Sequence, residues 1–146
     1  MSNFSKEDYK AQAAFRHAIR RFLRLSEDNS RKAGITPQQY QLLLAIKGVE
    51  DRDWATVSEL AKSLQLRHHS TVELCQRAEQ IGLITIVRDT KDKRQVRICL
   101  TNQGEEILAI VATENRNELE KLREDIIRLF MANSSTIVTF VALLCV

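Results

Sequence analysis

The side chains best suited to bind a partner are concentrated in two short stretches, residues 67–77 and 88–94. The first stretch carries groups that donate or accept hydrogen bonds, namely Arg67, His68, His69, Ser70, Gln76 and Arg77. The second stretch is basic, with Arg88, Lys91, Lys93 and Arg94. Guanidinium, imidazole and amide groups can pair with base edges, whereas lysines hold phosphates regardless of sequence. The chemistry available to these two stretches is recognition of double-stranded DNA.

Two short helices are expected to position the first stretch. Thr56 and Glu59 form a capping box, and apolar residues follow at helical spacing as far as Leu64. After a turn at 65–66, a second helix is predicted from about 67 to 81, with Gly82 as a left-handed stop. Its buried side is predicted to consist of Thr71, Leu74, Cys75, Ala78 and Ile81. The spacing predicts a helix-turn-helix whose second helix presents the hydrogen-bonding groups.

A β-hairpin is expected to position the second stretch. Residues 83–88 and 96–100 are apolar and β-branched, and the latter alternate with polar side chains as a half-buried strand does. Four basic residues at the tip repel one another unless they meet an anion, although Asp89 and Asp92 reduce this repulsion. Charged turns are also common in hairpins that bind nothing. Directly after a helix-turn-helix, this hairpin is interpreted as a DNA-contacting wing.

Five segments in this order resemble the MarR family of winged-helix bacterial transcription regulators. They read ITPQQYQLLLAI (35–46), VSELAKSL (57–64), STVELCQRAEQIGLI (70–84), DTKDKR (89–94) and LTNQGEEIL (100–108). Where the family usually has an Asp-Arg-Arg triplet in its wing, this chain has Asp92, Lys93 and Arg94. Two positions depart from the pattern. Arg67 stands where Ser or Asp commonly caps the recognition helix, and Glu73 stands where an Arg is often found.

The expected fold is mainly α (α+β), a winged helix-turn-helix with a two-stranded wing. Length predicts one domain over residues 1–146. Within it, residues 35–101 form the DNA-binding region, and residues 1–34 and 102–146 form dimerisation helices. The net charge of +3 is mildly basic, so the local distribution of charge matters more than the total.

The helices outside the winged region favour a homodimer. Apolar residues recur every three or four positions over 15–25 and again over 108–129, and the second of these stripes suits a long helix lying along a partner. The apolar segment 137–146 is too short to span a bilayer, so no membrane association is expected. It packs either inside its own protomer or, as predicted here, in a two-fold interface. A two-fold dimer matches a palindromic operator.

The resemblance also implies an effector. A small phenolic, aromatic or otherwise anionic ligand would bind between the helical region and the DNA-binding region and release a repressor from its operator. The candidate ligand-binding residues are Phe15, His17, Phe22 and Tyr40. For each of them an ordinary core position is the favoured interpretation.

Neither catalysis nor metal binding is indicated by the sequence. It has no HExxH or GxSxG motif and no glycine-rich phosphate loop, so the chain is predicted not to be an enzyme and to need no metal or cofactor. Its three cysteines lack disulfide spacing, which favours a reducing cytoplasm, and they are interpreted as small buried apolar groups. The polar N-terminus also favours a cytoplasmic protein. Two alternatives stay open: a thiol- or metal-sensing regulator of the same fold, and a winged-helix module that binds protein.

Overall fold

The computed structural model of the chain describes residues 4–92 and 94–132. These residues form five helices and three strands, which confirms the mainly α winged-helix fold. In chain order they are α1 (Lys6–Lys32), α2 (Pro37–Lys47), β1 (Trp54–Ala55), α3 (Val57–Leu64), α4 (His68–Gln80), β2 (Ile84–Arg88), β3 (Val96–Leu100) and α5 (Asn102–Ala132). The described residues divide into two compact units, one drawn from 27–113 and the other from 1–26 and 114–146.

The unit of residues 27–113 has its own hydrophobic core, built from α2, α3, α4, the sheet and the start of α5. Side chains with no exposed surface or almost none come from each of these parts, including Leu42, Leu43, Ile46, Leu60, Ile98 and Val111. Because every element contributes to this core, burial of apolar surface fixes the elements relative to one another within the unit.

Local sequence signals set the helix starts. Thr36 and Thr56 are both N-caps of capping boxes, as predicted for Thr56, with their hydroxyls accepting from the amides of Gln39 (3.1 Å) and Glu59 (3.2 Å). These caps satisfy amides that would otherwise lack partners at the first turn. α3 ends at Gln65, which takes the left-handed conformation at φ 54°.

The sheet has three antiparallel strands in the order β1-β3-β2. β2 and β3 form the predicted hairpin, with Ile86 opposite Ile98. β1 was not predicted: Trp54 pairs with Cys99 and Ala55 with Ile98. A strand of two residues shows no periodicity, so only its pairing with β3 reveals it. The wing therefore stands on a sheet rather than on a lone hairpin.

A close backbone approach joins the hairpin to α5. Thr101 accepts from the amide of Gly104 (3.0 Å) and donates its own hydroxyl hydrogen to the carbonyl of Gly82. A Cβ at Gly104 would lie 2.1 Å from the carbonyl oxygen of Leu83, which leaves no room for any side chain there. Gly82, at φ 79°, ends α4 in the left-handed conformation as predicted.

The second unit pairs the first part of α1 with the later part of α5. Asn115 donates from Nδ2 to the hydroxyl oxygen of Ser26 at 2.8 Å, and both Asn115 and Ala18 are buried. The predicted stripe of α1 (Phe15, Ala18, Ile19, Phe22, Leu25) is buried or half-buried. Among the described residues, no helix is both long and apolar enough to cross a membrane. The segment 137–146, predicted to join a dimer interface, lies outside the described residues.

Candidate nucleic-acid interface

The recognition helix α4 begins without a side-chain cap. Arg67 is its N-cap in an extended conformation and makes no side-chain cap hydrogen bond, as its departure from the family pattern implied. The buried Thr71 anchors the first turn instead, because its amide and its hydroxyl both donate to the carbonyl of Arg67 at 3.0 Å. This arrangement leaves the side chains of Arg67, His68 and His69 exposed.

The predicted buried side of α4 is confirmed for Thr71, Leu74, Cys75 and Ala78 and is wrong for Ile81. Ile81 remains 48% exposed, because the helix ends at Gln80 and the C-cap conformation turns the chain away from the buried stripe. On the opposite side, Gln76 and Arg77 are exposed and Ser70 is half-buried. Glu73 approaches the imidazole of His69, with Oε1 to Nε2 at 3.3 Å.

The wing tip is shaped by its two aspartates. The carboxylate of Asp89 accepts from the amide of Lys91, and that of Asp92 accepts from the amide of Arg94, both at 3.0 Å. The backbones of Asp89 and Gln95 close the base of the turn at 3.0 Å. Such Asx contacts replace backbone pairing in a turn. The side chains of Lys91 and Arg94 stay exposed, while Lys93 lies outside the described residues.

A groove of about 690 Å³ separates the recognition helix from the wing. Four of the predicted DNA-binding residues line it: His68 and Gln76 from α4, and Arg88 and Arg94 from the wing. The other described candidates, Arg67, His69, Ser70, Arg77 and Lys91, lie outside this lining on the same two elements. The structure thus brings residues that are up to 26 positions apart to one concave surface.

The predicted DNA-binding arginines and lysines have no acidic partners among the described residues. None of the predicted arginines on α4 and the wing (Arg67, Arg77, Arg88, Arg94) forms an ion pair, and neither does Lys91. Elsewhere in the same unit, Lys47 meets Glu105 at 3.0 Å and Asp53 at 3.5 Å. Free cations around a groove produce a positive potential that attracts a polyanion.

Sequence reasoning missed the groove's third side. No role was predicted for Arg52 from the sequence, yet its side chain is only 25% exposed and pairs with Glu59. Arg52 and Trp54 both line the groove, as do Ser58 and Gln95. Only the pairing of β1 with β3 brings Trp54 to this surface, and no local pattern predicts that pairing.

The Arg52–Glu59 pair is also visible in the electrostatics. The hydrogen bond from the Thr56 amide, followed by that from Arg52, lowers the pKa of Glu59 below its ordinary value. The hydrogen bond that Arg52 donates to Glu59 raises the pKa of Arg52. Both groups therefore stay charged across the neutral range, and the start of α3 carries a carboxylate where the helix dipole favours one.

The four ligand-binding candidates occupy different settings. Tyr40 is buried in the core of the unit of residues 27–113. In the other unit, Phe15 and Phe22 are half-buried and His17 is exposed. The crevice beside Phe22 holds only about 10 Å³, room for no more than a water molecule.

The cysteines differ from one another. Cys75 is buried, as predicted, and burial raises the pKa of its thiol to about 11. Cys99 was predicted to be buried and is only half-buried, because it faces away from the core beside Trp54 at the sheet. Cys145 lies outside the described residues. Over residues 4–92 and 94–132, no group of three or more His, Cys, Asp or Glu side chains is arranged to hold a metal.

A family model described as "MarR family" matches residues 33–95, which run from just before α2 to the end of the wing turn. Over this segment the chain is similar to the MarR family. Over 86 residues it is 31% identical to the HTH-type transcriptional repressor MdtR of Bacillus subtilis (strain 168), covering 56% of this chain. The aligned part spans 54% of that relative, about half its length.

Solved MarR-type structures share the fold over almost the whole chain. AbsC of Streptomyces coelicolor superposes with a TM-score of 0.72 at 18% identity, covering 97% of this chain and 99% of AbsC. A point mutant of MepR from S. aureus, bound to an oligodeoxyribonucleotide, gives a TM-score of 0.64 at 19% identity, covering 95% and 99%. At these identities the likeness shows the fold alone.

Proposed function

We propose that this protein is a MarR-family, sequence-specific DNA-binding transcription regulator, acting as a repressor. The observation that carries the proposal is the set of unpaired cations and hydrogen-bonding side chains around the groove between α4 and the wing. MdtR is named a repressor and the MepR mutant was solved on DNA, and both names support the same assignment here.

In the proposed complex, α4 lies in the major groove and the wing reaches the neighbouring minor groove. The exposed start of α4, with Arg67, His68 and His69, approaches bases and phosphates first. Gln76 and Arg77 lie about two to three turns further along the helix. Arg94 at the wing tip enters a narrow minor groove, where the negative potential is enhanced. Lys91, and Lys93 beside it in sequence, hold phosphates.

Base preference tests which side of α4 lies in the groove. Replacement of Gln76 or His69 by alanine should change the preferred operator sequence, because each side chain would contact base edges. Lys91→Ala should weaken binding to all duplexes alike. It should also reduce the slope of the logarithm of affinity against the logarithm of salt concentration by about one. Arg123→Ala, which removes an exposed arginine of α5, is the matched control and should leave binding unchanged. Equal, sequence-independent losses from all three test variants would contradict this orientation.

A homodimer follows from the same proposal, since two recognition helices would read a palindromic site. Large apolar side chains on α5 remain exposed in the single chain: Ile110, Leu119, Ile127 and Met131 at 50–76%. Apolar exposure on this scale along one helix is typical of an interaction surface. We place the partner protomer there.

The proposed trigger is a small aromatic or anionic ligand rather than an oxidant. Its support is the inert setting of Cys75, whose raised pKa suppresses the reactive thiolate. The test compares wild type with a variant lacking Cys75, Cys99 and Cys145. Salicylate-like acids should release both proteins from operator DNA. Release by peroxide that is lost in the cysteine-free variant would replace the ligand with a redox trigger.

A further inference from the structure

Trp54, the sole tryptophan of the chain, carries two arginines on its indole ring. The central guanidinium carbon of Arg52 lies 4.1 Å from the ring centroid, and that of Arg97 lies 4.5 Å from it. The sheet register explains the second contact. Trp54 pairs with Cys99, and Arg97, two residues back along β3, presents its side chain on the same face.

Besides the indole ring, each arginine contacts an acidic side chain in a different part of the fold. Arg52 pairs with Glu59, whose other carboxylate oxygen accepts the amide of Thr56 at 2.8 Å and so caps α3. Arg97 reaches the other way, with Nη2 3.4 Å from Oδ2 of Asp89 at the base of the wing turn. The indole ring therefore links the start of the helix-turn-helix to the wing.

Asp89 also contacts the backbone of the wing turn. Its second carboxylate oxygen accepts the amide of Lys91 at 3.0 Å, and its own amide donates to the carbonyl of Gln95 at 3.0 Å. Arg94 lies inside the loop that this pair of contacts closes. The direction in which Arg94 projects depends on how Asp89 is held.

The ring contact compensates for incomplete hydrogen bonding of both arginines. In the described part of the chain, Nε of Arg52 and Nε of Arg97 are shielded from solvent and make no hydrogen bond, although Nε of Arg52 lies 3.5 Å from Oδ1 of Asp51. A buried donor without a partner is costly, whereas the face of an aromatic ring attracts a guanidinium group. Lysine cannot replace this arrangement, since it lacks the planar group that stacks on indole.

We propose that Trp54 is a positioning residue for DNA binding: with Arg52 and Arg97 it holds the base of the wing so that Arg94 points into the minor groove. The role of Arg94 rests on the function proposed above. The connection itself, from α3 through the indole ring to the wing turn, concerns the free protein and can be tested without DNA.

The first test uses the free protein. In Arg97→Lys and in Trp54→Leu, hydrogen exchange at the amides of Asp89 and Lys91 should accelerate about tenfold, since Asp89 is no longer held. Thr85→Ala, on the same face of the sheet, is the control and should leave these amides unchanged. Asp89→Asn should also shift the fluorescence of Trp54 as Arg97 leaves the ring. Unchanged exchange in both test variants would overturn the proposal whether or not the protein binds DNA.

The second test is a double-mutant cycle on operator DNA. Arg97→Lys keeps the charge, so a simple phosphate contact would survive it, whereas the proposal predicts about tenfold weaker binding. Trp54→Leu should weaken binding to a similar degree. Neither change should weaken binding further when Arg94 is already alanine. Circular dichroism and thermal unfolding verify that each variant is folded. Wild-type affinity for Arg97→Lys, or full losses in the Arg94→Ala background, would overturn the proposal, whereas a wild type that binds no duplex would refute the proposed function instead.

Discussion

The proposed role of Arg94 depends on the direction in which its side chain projects. Its amide is tied to Asp92, so the backbone is fixed while the guanidinium group remains free in solvent. Arg94→Ala should cost about 1–3 kcal/mol of DNA binding and leave the free energy of unfolding unchanged. Fluorescence anisotropy with operator duplex measures the first quantity and urea denaturation the second. Binding as tight as that of wild type would show that the wing does not enter the minor groove.

Cys75 tests the interpretation of the thiols. Burial raises its pKa from 9.0 to about 11, so the thiolate fraction at neutral pH falls about a hundredfold. Native Cys75 should therefore react with iodoacetamide far more slowly than the same cysteine in the urea-unfolded chain. Mass spectrometry of the modified peptides measures both rates in one experiment. Rapid native labelling of Cys75 would revive the thiol-sensing alternative.

At the scale of elements, the join between the hairpin and α5 is the most sensitive point. Alanine at Gly104 would place a Cβ 2.1 Å from the carbonyl oxygen of Leu83, and neither backbone can move freely. Gly104→Ala should destabilise the fold by about 1–3 kcal/mol, although alanine is the better helix former. Gly34→Ala, where a Cβ meets nothing within 4 Å, should cost only about 1–2 kcal/mol from its left-handed backbone. Denaturant unfolding compares them, and a stabilised Gly104→Ala would contradict the packing described.

The elements that sequence reasoning predicted are those whose signals are local. The capping box of α3 and the hairpin depend on residues close to one another in sequence, and both are present. β1 was not predicted, because its two residues become a strand only by pairing with β3, some 44 positions away. Arg52 was not predicted to be shielded, because its low exposure comes from contacts with Glu59 and with Trp54, whose position depends on the pairing of β1 with β3. Candidate DNA-binding residues could thus be predicted, but the contacts proposed to aim the wing could not.

At the scale of the whole molecule, the proposed dimer depends on the exposed apolar side chains of α5 and on the segment 137–146. Removing residues 137–146 should weaken dimerisation and lower solubility, because part of the apolar interface would lose its cover. Sedimentation equilibrium of the full and truncated chains measures the change. The controls are circular dichroism and the melting temperature of the truncated chain. A full-length chain that stays monomeric at micromolar concentration would contradict the dimer.

The salt dependence of DNA binding tests the central claim most directly. The affinity of the wild type for operator duplex, selected from genomic fragments, would be measured by anisotropy from about 50 to about 200 mM salt. If the groove between α4 and the wing holds phosphates, the logarithm of the affinity falls linearly with the logarithm of salt concentration, by about tenfold or more over this range. Lys91→Ala should make the slope shallower by about one. An affinity that does not change with salt, or a slope that Lys91→Ala leaves unaltered, would contradict the account.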